Sequence, residues 1–551
     1  MIITGFNTSM LLLHLVNFKL HIVNKYCKQL SRLFFTPIMT NSRIEESVVE
    51  MAVDETGFGK FSLKVTVICL LIYLNASLSI VSTGYMLPAS SCDFNMTLFD
   101  KGLLLTSFFI GSCFSPVICG FLLNYKGRKW TLLLTLFFQG VADFMIPIFP
   151  NYWVLMILKF FSGFGGAGQL FVFTYMGECL PSKQRDLLMS LMELFWIMGD
   201  ALACSLGMAI LPLNIDIRIH SYFFRSWSLY ILICSGLAIL LGFWLLFLPE
   251  TPKYLAEMGS REELLWVLKD MYKQNTGKSG KEYIEKLMNS GKIPLMELVN
   301  DSYKNYPELI EKPLLSEKIL LELKQIKKIL KPPLLKNTFL ACMIGSSINF
   351  SYDAFYIWFP EIFQRFSELQ AKNKNANLKF CSISNDIINS GQQMENDAFD
   401  CNNPIDTQVF MTNLLLCASC APAVFPLLLL INRFGFRILL IIHCSLCSVL
   451  ILALYFVNSS LHILIILCIY VPLISTSVTM SNALFVSIFP TTHRSSGVTL
   501  TSMACRIGAV FGNMAFSYLI DRRCFIYIIL ITLQLIVGAI STILIRERKD
   551  A

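Results

Sequence analysis

The chain has 551 residues, 55% of them hydrophobic and only 15% charged, whereas a soluble chain of this kind carries roughly 25% charged residues. Its net charge of +8 is gathered in short basic links between apolar runs, the pattern of loops kept on the cytoplasmic side of a membrane, so it calls for no nucleic-acid partner. The runs reach about twenty residues, enough to cross roughly 30 Å of hydrocarbon as helices, which excludes a soluble fold and points to an all-α polytopic membrane protein.

In chain order, residues 1–53 read as a disordered N-terminal extension. Its stretch "MLLLHLV" is too short to span and its flanks do not fit a cleavable signal. Six spans follow within 54–249, at 65–87, 102–123, 130–150, 152–178, 187–212 and 227–248. Between the first two, Asn95-Met96-Thr97 is a glycosylation sequon in an outer loop, with Asn95 the acceptor. A polar link, 250–334, comes next. Ser260 followed by Glu263 predicts a capping box there, and Leu264, Leu265, Leu268 and Met271 make an apolar stripe on the helix it starts. That helix is expected on the membrane surface or against the bundle. The second half, 335–548, holds spans at 335–359, 409–431, 437–457, 461–489, 496–520 and 525–545, with a polar outer loop at 364–406. Twelve crossings place both termini on one side, and the basic links make that side cytoplasmic.

Eighteen cysteines fall mostly inside apolar runs, where a free thiol acts as a small hydrophobe. Cys92, Cys381 and Cys401 lie in outer loops, and Cys381 with Cys401 is a candidate disulfide in an oxidising compartment. No cluster has metal-ligand spacing, and no cofactor is implied. The run "GFGGAG" lacks the Gly-Lys-Ser/Thr ending of a phosphate loop and suits close helix packing.

Two links recur. "NYKGRK" at Asn124–Lys129 aligns with "NRFGFR" at Asn432–Arg437, Gly127 falling on Gly435 and Lys129 on Arg437. "PSKQR" at Pro181–Arg185 aligns with "PTTHR" at Pro490–Arg494, at nearly the same offset. The chain therefore reads as a duplication of six spans, an architecture that binds its solute near the midplane between the halves.

The motifs sharpen this. The link after the second span matches Gly-x-x-x-Asp-x-x-Gly-Arg-Lys/Arg through Gly120, Gly127, Arg128 and Lys129. "KFFSGFG" matches Arg-x-x-x-Gly-x-Gly with Lys159 in the arginine's place, and "PETPKYL" resembles Pro-Glu-Ser-Pro-Arg. Over 54–548 the chain resembles the major facilitator superfamily. With "GYMLPASSCD", "IWFPEIF" and "RIGAVFGN" it is most similar to insect proteins related to synaptic vesicle glycoprotein 2 and to organic-ion transporters. The resemblance implies that Gly120, Asn124, Gly127, Arg128, Lys129, Glu178, Arg185, Glu250 and Arg494 form a cytoplasmic gate; interfacial snorkelling is the plainer alternative. Asn124 stands where the family has an acid, so the gate is expected to be loosened or to rely on Glu178.

Charges inside the bilayer ask for a reason. Lys159 is placed to hold Asp143, to relay a proton, or simply to snorkel. Glu193 and Asp200, seven apart, share a helix face directed at the bundle interior or water. Asp353 sits with Tyr352 and Tyr356, a fair pocket for a polar or amine-bearing solute, while Trp358 suits an outer aromatic belt. Arg506 lies deep in the eleventh span and leans towards a carboxylated solute. The function expected is transport of a small polar organic solute, sugar-like or ionic, by a monomeric carrier with a proton as candidate coupling ion. Its membrane is the plasma membrane or a vesicle membrane. The alternative is a carrier fold kept as a non-transporting receptor or trafficking component.

Overall fold

The computed structural model describes residues 46–219, 222–299, 324, 326–372, 380–381, 407–457, 459–489 and 494–545. Spans 1 to 3 are Lys60–Ser90, Leu98–Tyr125 and Arg128–Met145. Span 4 is Tyr152–Gly168 continued by Val172–Cys179, span 5 is Ser182–Ile210, span 6 is Ser226–Leu246 and span 7 is Leu335–Tyr356. Thr407–Leu454 contains spans 8 and 9 around a break at Gly435 (φ 76°), and span 10 is Ser460–Ile488. Arg494–Leu544 contains spans 11 and 12 around a break at Arg523. The fold is thus the expected all-α, twelve-span membrane bundle, with one small β element added.

Small residues decide how closely these helices approach. A Cβ on Gly163 would strike the backbone of Phe108, and one on Gly111 the backbone of Phe160, so spans 2 and 4 touch main chain to main chain. Gly508 and Gly512 press in the same way on Ser346 and Phe350, bringing span 11 onto span 7. Among lipid-embedded helices such contact is a main source of association. The run "GFGGAG" is therefore a packing element.

At one end of the bundle, here called the linker face, the expected extension gives way to structure. Glu46–Glu55 is a helix whose Val48, Val49, Ala52 and Val53 are buried. They pack against Leu264, Leu268 and Met271 of the linker helix Arg261–Thr276, so that stripe serves the bundle. Tyr283 donates to the Ala52 carbonyl at 2.8 Å. Lys286, hydrogen-bonded to Glu55, holds that carboxyl below the ordinary glutamate range. The Asn275 carboxamide accepts the N–H groups of Phe61 at 3.0 Å and Ser62 at 3.2 Å, supplying the first turn of span 1 with acceptors a helix start lacks. The predicted capping box at Ser260 does not form. The chain turns at Gly259 (φ 72°), leaving Ser260 at ψ 69° with no side-chain cap bond, away from the extended geometry a cap uses.

At the opposite end, Asp216–Ile219 and Tyr222–Arg225 form an antiparallel hairpin with Asp216 opposite Arg225. The alternation Ile215-Asp216-Ile217-Arg218-Ile219 is a strand pattern. Arg225 pairs with Asp93 at 2.9 Å, whose other oxygen accepts from the Trp227 indole at 2.7 Å. This end is the hairpin face.

The disulfide differs from the expected one. Cys381 bonds Cys524, and Cys401 lies outside the described residues. Cys524 reads as the edge of an apolar run, but the break at Arg523 sets it in the turn between spans 11 and 12. Phe380, buried against Phe355, brings Cys381 there. Asn95 is exposed in the loop after span 1, at φ 48°.

Candidate functional site

Four groups of polar side chains run through this bundle from the linker face to the hairpin face. At the linker face the Glu250 carboxylate accepts the backbone N–H groups of Arg128 and Lys129, both at 2.9 Å, where the positive end of span 3 favours an anion. Burial pushes Glu250 above the ordinary glutamate range, although these N–H groups pull it down. Gly127 is required twice over: its φ is 107°, and a Cβ there would collide with the Glu250 carboxylate. Arg128 lies between Glu178 at 3.0 Å and Glu257 at 2.9 Å. The network thus unites Gly127, Arg128, Glu178 and Glu250, and adds Glu257, which sequence reasoning missed. Lys129 turns aside to the Leu246 carbonyl at 2.9 Å. Arg185 joins Glu50 of the N-terminal helix at 2.7 Å and stands apart from the network. Asn124 is exposed, and Gly120 faces Thr499 of span 11. The Arg494 side chain is outside the described set.

Within the first half, Lys159 is fully buried and paired with Asp143 at 3.0 Å, with the Thr83 hydroxyl at 3.1 Å from its nitrogen. Asp143 also accepts from Ser162 at 2.8 Å and Gln139 at 3.0 Å. The chain of bonds continues through Gln139 and Gln169 to Asn75, at 2.8–3.0 Å. Of the readings open for Lys159, the one with Asp143 as its partner is what the geometry builds. Buried amide and carboxylate groups satisfied in this way rigidify a core.

Near the middle of the spans, a narrow cavity between the halves is lined by Ala76, Phe108, Ser112, Gly166, Trp196 and Arg506, among others. Glu193 is half-buried and accepts from Tyr73 at 3.4 Å. Asp200 is buried and accepts from Ser77 of its own half and from Tyr356 of the other. Tyr356 stacks on Tyr352 with centroids 5.1 Å apart. Asp353 is 3% exposed, and one of its oxygens has no hydrogen-bond partner. Trp358 is wholly buried, donating to Asn513 at 2.9 Å and stacking on Phe516. It is a core residue, not part of an outer belt.

At the hairpin face, Lys101 of span 2 pairs with Glu361 at 2.8 Å. Arg365, one turn on, pairs with both Glu361 at 3.2 Å and Asp521 at 2.8 Å. Burial raises the Glu361 carboxyl, but Lys101 and Arg365 outweigh it and hold it below the ordinary glutamate range. None of these four residues stood out in the sequence, because each reads as a charge flanking an apolar run.

Comparison with known proteins meets this geometry at the point of family. The sequence profile of the Major Facilitator Superfamily matches residues 69–372. The chain belongs to the major facilitator superfamily. Within the superfamily it is similar to mouse (Mus musculus) synaptic vesicle glycoprotein 2C, 24% identical over 370 residues, covering 64% of this chain and 50% of the relative. Human (Homo sapiens) synaptic vesicle glycoprotein 2B is 24% identical over 343 residues, 59% of this chain and 48% of the relative. The chain therefore spans about half the length of these relatives. Among solved superfamily structures it is similar to the E. coli xylose transporter XylE in a partially occluded inward-open conformation. That match has a TM-score of 0.58 at 14% identity, covering 89% of this chain and 99% of the other.

Proposed function

We propose that this superfamily member is a carrier that moves a small polar organic solute by alternating access, with its linker face in the cytoplasm and a vesicle or plasma membrane as its site. One observation carries the reading. Among the described residues, the ion pair that joins the two halves, Lys101–Glu361, lies at the hairpin face. The Arg128–Glu178–Glu257 network at the linker face stays within the first half and its link. Such asymmetry is what a carrier closed on one side requires, and the likeness to an inward-open transporter supports it.

Coupling to protons, in this reading, falls to Glu193. Lys159 and Asp143 neutralise one another, and Asp200 is buried between two hydroxyls, whereas Glu193 is half-buried with only a long bond from Tyr73 and the Thr479 hydroxyl beside it. The test is uptake into liposomes holding the purified protein, over a broad solute panel with an imposed pH gradient. Saturable flux of a solute, reduced in Glu193→Gln when the gradient drives it, is the expected result. Absence of saturable flux for every solute, with the protein folded, would overturn the carrier reading in favour of a receptor built on a carrier fold.

A further inference from the structure

The midplane holds two opposite charges that do not meet. Among the described residues, Arg506 donates no hydrogen bond and lies in no ion pair, yet it lines the cavity. Asp353 is 3% exposed with an open oxygen. A buried charge without a partner is expensive, so the open oxygen of buried Asp353, with half-buried Arg506 unpaired nearby, invites an explanation beyond packing.

Their separation follows from the helix contacts. Ser346 lies against Gly508 and Phe350 against Gly512, so spans 7 and 11 run parallel and Asp353 is level with Ala515. That is nine residues beyond Arg506, roughly 14 Å along the axis at 1.5 Å per residue. An outstretched guanidinium covers part of this rise, and the two charges lie within electrostatic reach of one another without forming an ion pair among the described residues.

Asp353 lies near the cavity without lining it. Gly84 of span 1 packs on Ile357, which sets Asp353, one turn earlier, level with Ile80 on the cavity wall. Around span 7, at about 100° per residue, Asp353 falls midway between Phe350, which faces span 11, and Tyr356, which reaches Asp200 in the other half. The carboxylate thus stands at the corner where span 7, span 11 and the inter-half space meet. Trp196 lines the cavity and stacks at a tilt on Tyr73, centroids 5.0 Å apart, presenting aromatic surface of the kind an ammonium seeks.

We propose that the solute is a small zwitterion, with its ammonium on Asp353 and its carboxylate on Arg506. This rests on the carrier reading and names the substrate class of the same site. A lone cation would leave Arg506 unanswered, a lone anion would leave Asp353 unanswered, and an uncharged polyol would answer neither. A dipolar molecule satisfies both without changing the net charge of the site.

The experiment uses the full-length protein in liposomes, with β-alanine and glycine betaine as zwitterions, tetramethylammonium as cation, propionate as anion and xylose as uncharged control. Binding is read by tryptophan fluorescence and transport by uptake of labelled solute. The expected result is saturable binding and uptake of a zwitterion, weakened about tenfold in both Asp353→Asn and Arg506→Gln. Arg506→Lys, which keeps the charge, retains part of the binding and guards against a folding artefact. Preference for propionate, tetramethylammonium or xylose overturns the zwitterion class while leaving the carrier reading in place, as does zwitterion binding indifferent to both substitutions. Zwitterion binding without uptake supports the class and overturns the carrier.

Discussion

Lys101 and Glu361, 260 residues apart in sequence, meet at 2.8 Å across the boundary between the two halves, their side chains 4% and 5% exposed. Removing one partner of a buried pair strands the other charge, at about 3–5 kcal/mol. Lys101→Met is therefore expected to open the hairpin face, raising amide hydrogen exchange at 98–105 and 359–366. Lys101→Met with Glu361→Gln should recover part of the protection. Unchanged exchange in the single variant would show that the pair does not hold this end shut.

The pH response of that closure has a definite sign. The folded Glu361 carboxyl titrates below its ordinary value of 4.5. Its stabilisation is present above that value and lost as pH falls through the lower folded one. Closure should then be constant from pH 7 down to pH 5, with opening only at more acidic pH, followed by the same exchange measurement. Opening between pH 6 and 5 would place the sensitive group elsewhere.

In this geometry Lys159 is fully buried and paired with Asp143, the arrangement of a structural cation. Lys159→Met leaves Asp143 buried without its counter-charge and should lower thermal stability in detergent by about 3–5 kcal/mol. Pairing Lys159→Gln with Asp143→Asn should restore much of it. Proton-driven uptake by that double variant is expected to persist, which separates a structural cation from a proton relay.

At Gly127, alanine meets both a positive φ and the Glu250 carboxylate. The backbone term alone is about 1–2 kcal/mol. Gly127→Ala should lower the melting temperature, with increased exchange at the first turn of span 3, where Glu250 holds two N–H groups.

Disulfide mapping of the unreduced protein is expected to find the Cys381–Cys524 peptide pair. Cys524→Ser should destabilise by about 2–4 kcal/mol, read as a lower melting temperature that reducing agent no longer shifts through this bond.

The bundle was legible because lipid leaves few choices: long apolar runs with basic links can only be helices, and the duplicated links mark the two halves. The network at Arg128 was legible for a similar reason, since Gly127, Arg128, Glu178 and Glu250 sit in or beside recurring motifs at the ends of spans, whereas Glu257 lies outside them. Lys101 and Glu361 were not, because nothing local distinguishes them from charges that merely anchor a helix end. Asn75, Gln139 and Gln169 went unread because single amides inside apolar runs carry no period. Trp358 sits near a span end like a belt residue, and the approach of Asn513 and Phe516 from span 11 buries it. The hairpin at Asp216–Arg225 was available in its alternation and was passed over as a link.

The bond from Asn275 to the start of span 1 has a consequence for biosynthesis. Phe61 and its acceptor are 214 residues apart, so at about 5–20 residues per second the ribosome needs roughly ten to forty seconds between making one and making the other. Through that interval the first helix sits in the translocon with an unfinished end, and spans 2 to 6 are all inserted before its partner emerges. The link between the halves is therefore the closing step of first-half assembly, and a chain truncated before residue 275 would leave that half permanently uncapped.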